Sequence, residues 1–296
     1  MPSTACAPPP QAGPGDIRGA RTGDGRRSGP GWLAVTVGLV ATELERSRSF
    51  GTVAADYDRL RSQPAEAAVD WLVPERRDVL VDVGAGTGLF SRALAARARH
   101  VIAVEPDERM RAVLRDRSDG VEVLAGSGEA IPLPDASADG VFASSSWHWM
   151  DPAKAIPEIA RVLRDGGRFG VIWTGREPTE WLQADDWFRE AAGPDEVPPG
   201  ETVAGGNLRP DRRPAGGPFT NIETQTFRFT RTMTPSDLVD WLLTYSRVIT
   251  AAPEIRERGR QRAAAALAAQ FPGASQIEVP MRSRCWRADR VPRHPA

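Results

Sequence analysis

The chain has 296 residues, of which 41% are hydrophobic, and this is enough to bury one large core with extensions. Its 38 basic and 39 acidic residues give a net charge of -1, which excludes a general electrostatic attraction to nucleic acid but leaves a local patch open. Cys6 and Cys285 supply neither a disulfide framework nor a metal cluster, so we expect a cytoplasmic protein without a metal site.

The first 47 residues show no regular apolar pattern. The glycine- and arginine-rich stretch at 13–31 is typical of disorder. The apolar run at 32–41 resembles a signal peptide, but ten apolar residues are too few to cross a bilayer, and no membrane partner is expected. We therefore predict a disordered or atypical extension over 1–47, a folded domain over 48–290 and a tail over 291–296.

A first helix is predicted over 50–59, where Phe50, Val53 and Tyr57 recur at helical spacing and form one apolar face. Three alternating glycines then stand between a predicted buried strand at 79–81 and a predicted helix at 89–98.

The glycines of this strand-to-helix turn, Gly84, Gly86 and Gly88, permit left-handed dihedrals and allow a ligand to touch the main chain. The helix start directs free N–H groups towards the same place. The turn therefore predicts a site for a nucleoside-like cofactor.

Two carboxylates narrow the choice of cofactor. A second predicted strand at 100–104 ends on Glu105, where a carboxylate accepts both hydroxyls of a ribose. Asp82 precedes the glycines, where it repels a pyrophosphate and attracts an ammonium or sulfonium group. The G-x-G-x-G spacing also differs from the dinucleotide fingerprint G-x-G-x-x-G. The alternatives are that Asp82 caps the following helix and that Glu105 caps a helix near Asp107.

The remaining elements continue the alternation of strand and helix, which predicts a parallel sheet with helices on both faces and a ligand at the carboxyl ends of its strands. The glycine turn, Glu105, Ser127 and the Trp-His-Trp segment at 147–149 meet at that end. The later segments are strands at 121–124 and 139–144, a helix, Gly-Gly turn and strand within 155–173, and helices at about 235–250 and 253–270. A further strand is predicted at 221–230, which alternates at period two, and 277–286 is its candidate partner.

Taken in order, these segments resemble the class I S-adenosylmethionine-dependent methyltransferases, of the type called methyltransferase domain 11. The resemblance rests on V-D-V-G-A-G-T-G at 81–88, the loop at 125–134 and the Gly-Gly turn and strand that follow 155. It implies an α/β, Rossmann-like, doubly wound and mostly parallel seven-stranded sheet with an antiparallel edge strand and helical lid insertions. The cofactor half is expected at about 48–175 and the acceptor-side elements at about 176–290.

The resemblance implies that S-adenosyl-L-methionine is the cofactor, with the helix at 50–59 folding over it and Arg61 as a further lid residue. Ser127 stands where the family often has an aspartate, which leaves adenine recognition to main-chain groups of the loop or to this hydroxyl. The implied cofactor-binding residues are Tyr57, Asp82, Gly84, Ala85, Gly86, Thr87, Gly88, Glu105, Pro106, Gly126, Ser127, Gly128, Glu129, Ser144 and Trp147.

His148 is the candidate catalytic residue, because no other histidine is near the predicted site. Imidazole titrates near neutral pH and can act as a general base on the acceptor. The alternative is that His148 only packs under the cofactor. The family often needs no base, since alignment and exclusion of water accelerate an in-line methyl displacement.

The predicted function is methyl transfer from S-adenosyl-L-methionine to oxygen, nitrogen or carbon of a small molecule, and no nucleic acid partner is expected. Two alternatives are a non-catalytic S-adenosylmethionine-binding protein and an NAD-dependent oxidoreductase, the latter disfavoured by the glycine spacing and Asp82. The aromatic residues Trp181, Trp187, Phe188, Trp241 and Tyr245 either favour an apolar or aromatic acceptor or belong to the core.

Overall fold

The structure is a computed structural model, and it describes residues 58–182, 187, 213–214, 217–249 and 251–293. The predicted extension over 1–47, Tyr57 and Phe188 lie outside the described residues. None of the helices described is long and apolar enough to cross a membrane.

One mixed sheet of seven strands organises the described part of the chain. The first five strands pair in parallel, and the seventh runs antiparallel to both of its neighbours, the fifth and the sixth. This confirms the predicted Rossmann-like α/β sheet, and the reversed strand lies one position in from the end of the sheet. The strands are β1 (Val79–Val83), β2 (His100–Glu105), β3 (Val121–Ala125), β4 (Ala138–Ser144), β5 (Leu163–Arg176), β6 (Phe219–Met233) and β7 (Ile277–Arg290), in the order β3-β2-β1-β4-β5-β7-β6.

Three of the helices begin at a residue whose side chain accepts hydrogen bonds from free N–H groups of the first turn. Asp107 accepts from the first turn of α3 (Glu108–Arg117), Asp151 from that of α4 (Pro152–Val162) and Thr234 from that of α5 (Pro235–Leu243). The stretch predicted as one helix over 235–250 is two helices, because the chain turns after Leu243. The helices are α1 (Glu66–Leu72), α2 (Leu89–Ala95), α3 (Glu108–Arg117), α4 (Pro152–Val162), α5 (Pro235–Leu243), α6 (Ser246–Ile249) and α7 (Pro253–Gln270).

Burial of the central strands fixes where the site lies. Strands β1, β2 and β4 are apolar and buried along most of their length, as expected of parallel strands covered on both faces. Val83 is the register partner of Val104, and Asp82 that of Phe142. The carboxyl ends of these strands therefore lie side by side, and the loops that leave them form one surface.

Candidate active site

The glycine turn after β1 is held against the end of β2. The N–H groups of Gly84 and Ala85 donate to the carbonyl oxygen of Val104, at 2.8 and 3.2 Å. All three glycines have left-handed backbones, with φ of 66° at Gly84, 58° at Gly86 and 85° at Gly88. This is the conformation that the sequence predicted for them.

The three glycines meet different surroundings. A Cβ atom on Gly84 would lie 2.7 Å from the Cβ of Ser146, and one on Gly88 would lie 2.6 Å from the hydroxyl of Ser118. A Cβ on Gly86 would meet no atom within 4 Å. Two of the glycines thus permit close packing, whereas Gly86 borders open space that a ligand can enter.

Glu105 ties the glycine turn to the start of α3. Its Oε2 accepts from the N–H of Gly86 and its Oε1 from the N–H of Asp107, both at 2.9 Å. The side chain is 7% exposed, and burial raises its pKa above the usual value against the opposing effect of these bonds. A carboxylate has about four acceptor positions, so two main-chain bonds leave capacity for ribose hydroxyls.

Asp82 is fully buried beneath the turn. Its Oδ2 accepts from the hydroxyl of Ser91 in α2 at 2.7 Å, whereas its Oδ1 has no hydrogen-bond partner among the described atoms. Burial, opposed by the Ser91 bond and reinforced by the charge of Glu105, raises its pKa to about 7. Asp82 does not cap α2, whose N-cap residue is Gly88.

These features fit S-adenosyl-L-methionine. Glu105 has acceptor capacity for ribose hydroxyls, Gly86 leaves room for the ligand, and Asp82 places an orphan carboxylate oxygen where a cationic group offsets its burial. Thr87, also in the turn, is buried with a hydroxyl that has no partner among the described atoms.

The predicted adenine loop after β3 is fastened to the segment that follows β4. Glu129 accepts from the N–H of Asp151 at 2.8 Å, and a Cβ on Gly128 would overlap Met150. The hydroxyl of Ser127 accepts from the N–H of Glu129 at 3.3 Å, within the same turn. The other predicted site residues lie at the same end of the sheet: Pro106 exposed after β2, Gly126 half-buried after β3 and Ser144 half-buried at the end of β4.

The segment after β4 contains a tryptophan whose side chain is fully buried. Trp147 has no exposed surface, and its ring packs against Phe169 at 5.1 Å and Trp286 at 6.1 Å between centroids. Trp147 therefore packs in the core of the sheet, and its predicted contact with the cofactor stays a prediction. Ser146, which sequence reasoning missed, donates from its hydroxyl to the carbonyl of Val83 at 2.9 Å and joins this segment to β1.

His148 lies half-buried at the carboxyl ends of β4 and β5, as expected. Its Nδ1 accepts from the indole Nε1–H of Trp173 at 3.4 Å, and its ring centroid is 4.5 Å from that of Trp149. Trp173 was not predicted to belong to the site. The sequence offered one sign that Trp173 lies near the site, which is its position close to the end of the predicted fifth strand.

Arg92 joins the glycine turn to the residues before α1, a link that nothing in the sequence indicated. Its guanidinium donates to the carbonyl of Thr87 at 3.0 Å, to the hydroxyl of Ser118 at 3.1 Å and to Asp58 at 2.7 Å. Arg61, predicted as a lid residue, lies over the ring of Tyr245 at 4.7 Å. The segment beginning at Asp58 therefore contacts both the glycine turn and the α5–α6 region.

Three comparisons agree on the kind of protein. The methyltransferase domain family matches residues 81–171. An uncharacterized methyltransferase of Mycobacterium bovis is 34% identical over 253 residues, which cover 84% of this chain and 99% of that protein. The malonyl-acyl-carrier-protein O-methyltransferase of Methylococcus capsulatus is 35% identical over 140 residues, covering 43% of this chain and 50% of that protein.

The fold has a solved counterpart. A structure assigned as a type II methyltransferase, from Anaeromyxobacter dehalogenans, aligns with a TM-score of 0.57 and 24% identity over 79% of this chain and 99% of that one. The mycobacterial relative is matched over nearly its whole length, and the glycine turn lies within the matched domain. The chain therefore belongs to the class I S-adenosylmethionine-dependent methyltransferases, enzymes whose cofactor is S-adenosyl-L-methionine.

Proposed function

We propose that this enzyme transfers the methyl group of S-adenosyl-L-methionine to a small-molecule acceptor by in-line displacement. The observation that carries the proposal is the open space beside Gly86, which is bordered by Glu105 and lies at the same end of the sheet as His148. This arrangement supports a cofactor and an acceptor that meet at the carboxyl ends of β1 and β4.

When bound, the cofactor supplies a methyl group on a positively charged sulfur, which leaves as a neutral thioether. The residues of the chain bind the cofactor and orient it. Glu105 accepts from the ribose hydroxyls, the main chain at Gly86 borders the ligand, and the carboxylate of Asp82 contributes negative charge near a cation. Alignment of the two reactants accounts for much of the rate in such a displacement.

Half-buried aromatic side chains on the acceptor side support a small apolar or aromatic acceptor. Trp181, Trp187 and Tyr245 pack at the edge of the cluster formed by α5, α7 and the start of β7, whereas Trp241 is buried within it and belongs to the core. The similarity to the malonyl-acyl-carrier-protein enzyme covers less than half of this chain, so it does not carry that protein's acceptor over.

A transfer assay tests the proposal. Cofactor labelled with tritium in the methyl group is incubated with the enzyme and a panel of small carboxylates, phenols, alcohols and amines, with tRNA and a protein mixture as macromolecular acceptors. Label is expected in one class of small molecule and absent with the Gly86→Leu variant. Label found only in the macromolecular acceptors would refute a small-molecule substrate.

A further inference from the structure

The last strand of the sheet has a long edge that pairs with no strand among the described residues. Strand β6 stands at the end of the strand order, and its partner in the described part of the chain is β7. It has 15 residues, whereas strands of about five or six residues are most common. Alternate N–H and C=O groups along its outer edge are therefore a template for pairing with a further strand.

The sequence of β6 lacks most of the devices that keep an edge strand from pairing. It contains no proline and no lysine, and it is rich in threonine and phenylalanine, which favour strands. A bulge between Thr220 and Glu223, where Asn221 has a φ of 52°, interrupts only the beginning of the strand. From Glu223 to Met233 the pairing with β7 is continuous, so this part of the edge is regular.

The same strand is open to solvent. All residues at 220–226 are exposed, so neither face of the strand is covered there. Ile222, which is 38% exposed, is the exposed large hydrophobic side chain of the described part of the chain. Further along, a groove is lined by residues 61–67 and 228–231. Four consecutive residues of β6 line this groove although their side chains alternate between the two faces, so the groove follows the edge of the strand.

The charges of β6 favour a second copy of the same strand as the partner. When two copies pair antiparallel about a two-fold axis, one residue lies opposite itself, and directly opposed side chains share a face. With Phe227 on the axis, Glu223 lies opposite Arg231 of the second copy, and this pair forms twice. With Arg228 on the axis, two like charges would meet. Glu223 and Arg228 cannot oppose each other, because residues an odd number of positions apart point to opposite faces.

Both members of this Glu–Arg pair keep bonding capacity within the single chain. Arg287 binds Glu223 through Oε2, with its Nε at 2.8 Å and its Nη2 at 2.6 Å, and a carboxylate has about four acceptor positions. Arg231 donates through Nη1 to the carbonyl of Leu60 at 2.6 Å and to the hydroxyl of Ser62 at 2.7 Å. It forms no ion pair with a carboxylate of the described residues, and burial lowers its pKa. A carboxylate from a second copy would offset the cost of that burial.

We propose that the protein forms a symmetric dimer in which the β6 strands of two copies pair antiparallel over residues 223–231, with Phe227 on the two-fold axis. The pairing joins the two seven-stranded sheets into one. Main-chain bonds along the edge supply affinity, while the two Glu–Arg pairs and the central pair of phenylalanines set the register. The dimer requires neither cofactor nor acceptor, so the proposal is independent of the proposed function.

Sedimentation equilibrium of the full chain without ligand tests whether the dimer exists. Over about 1 to 100 µM we expect a monomer–dimer equilibrium, which is the range of a moderate association. High salt should weaken the dimer, because exposed ion pairs are screened. A chain that stays monomeric throughout this range would overturn the proposal.

Charge substitutions at Thr226 test the register. In the proposed dimer Thr226 lies opposite Arg228 of the second copy, and both side chains are exposed. Thr226→Glu should therefore lower the dimer Kd and Thr226→Arg should raise it, each by about 2- to 30-fold, since two such pairs form. Adding Arg228→Glu to Thr226→Arg should restore the association.

The matched controls are the same two changes at Thr220, which is also exposed but lies before the bulge. They should leave the dimer Kd unchanged, and thermal unfolding of each variant establishes that it is folded. A dimer that responds equally to changes at Thr220 and Thr226, or to neither, would overturn the proposal.

Hydrogen exchange measures the edge directly. Amides at 223–231 that face away from β7 should exchange more slowly at high protein concentration than at low concentration. Strand β3, at the opposite end of the sheet, is the control and should exchange at the same rate under both conditions. Protection of β6 that does not depend on concentration would mean that the edge is covered within one chain, and it would overturn the proposal.

Discussion

At the scale of single residues, three glycines with the same left-handed backbone have different roles. Gly84 and Gly88 leave room for neighbouring side chains, whereas Gly86 leaves room for a ligand. The sequence pattern predicted the conformation of all three, because glycine permits the left-handed dihedrals that such a strand-to-helix turn uses. It did not distinguish their roles, since these depend on Ser146 and Ser118, which are distant in the sequence.

Replacing Gly86 by leucine should abolish binding of S-adenosylhomocysteine, because the new side chain occupies the open space. Gly166 is the matched control, since it too has a positive φ and its Cβ would meet no atom within 4 Å. Both variants should lose about 1 to 2 kcal/mol of unfolding free energy from the left-handed backbone. Isothermal calorimetry with S-adenosylhomocysteine distinguishes the two variants. Equal affinity of the Gly86 and Gly166 variants would refute the assigned pocket.

Glu105→Gln should weaken S-adenosylhomocysteine binding by about 2 to 3 kcal/mol, or roughly 30- to 150-fold in Kd. The neutral amide loses the charge-assisted bonds to ribose and cannot accept with both terminal atoms from Gly86 and Asp107. Glu122→Gln on β3, an exposed carboxylate, serves as the control and should leave Kd unchanged. If the two variants bind S-adenosylhomocysteine with the same Kd, Glu105 does not contribute to the binding site.

Asp82 should make stability depend on pH in the direction opposite to most carboxylates. Its pKa rises from 3.8 to about 7 on folding, so the folded state holds the proton more tightly, and its contribution to stability is lost as pH rises through that range. The shift corresponds to about 4 kcal/mol as an order of magnitude.

Urea unfolding of Asp82→Asn at pH 5 and pH 8 tests this dependence. The variant should gain stability over the unmodified protein, and the gain should be larger at pH 8 by on the order of 2 kcal/mol or more. Asp78→Asn, at an exposed carboxylate next to the same strand, should show no such difference. An equal gain at both pH values would contradict the burial of an ionisable group at Asp82.

At the scale of elements, the bonds of Arg92 connect the glycine turn to the residues that precede α1. Asp58 and Arg92 form an ion pair at 2.7 Å, and both side chains are largely buried. Asp58→Asn removes the negative charge from this pair. We expect faster hydrogen exchange over residues 58–64 and a three- to tenfold rise in Kd for S-adenosylhomocysteine, the effect of about 1 kcal/mol.

Arg59→Ala is the control for that change. Arg59 pairs with Asp237 at 3.2 Å on the surface, where an ion pair contributes about 0 to 1 kcal/mol and is weakened by salt. The Arg59→Ala variant should have nearly the hydrogen exchange and the Kd for S-adenosylhomocysteine of the unmodified protein. If the two variants behave alike, Arg92 does not couple this segment to the glycine turn.

The elements themselves could be predicted because their signals are local. Short, mostly apolar stretches mark β1 to β4, and the period-two pattern at 221–230 marks β6. Two site features could not be predicted, since each depends on residues far apart in the chain. Trp147 is buried by Phe169 and Trp286, and His148 is oriented by Trp173 on the next strand.

At the scale of the molecule, the alternation of strands and helices determines the parallel half of the sheet and hence the end at which ligands bind. The reversed strand β7 between β5 and β6 has no local signature, because strand order depends on pairing between residues more than a hundred positions apart. The family resemblance supplied that part of the prediction, and the seven-stranded sheet confirms it.

The central claim is that the glycine turn, Glu105 and Asp82 form a pocket for S-adenosyl-L-methionine. Its most direct test is calorimetric titration of the unmodified protein with S-adenosylhomocysteine and, on the same preparation, with NAD. We predict saturable binding of S-adenosylhomocysteine at one site per chain and no binding of NAD. Binding of NAD alone, or of neither compound to the folded protein, would contradict the account.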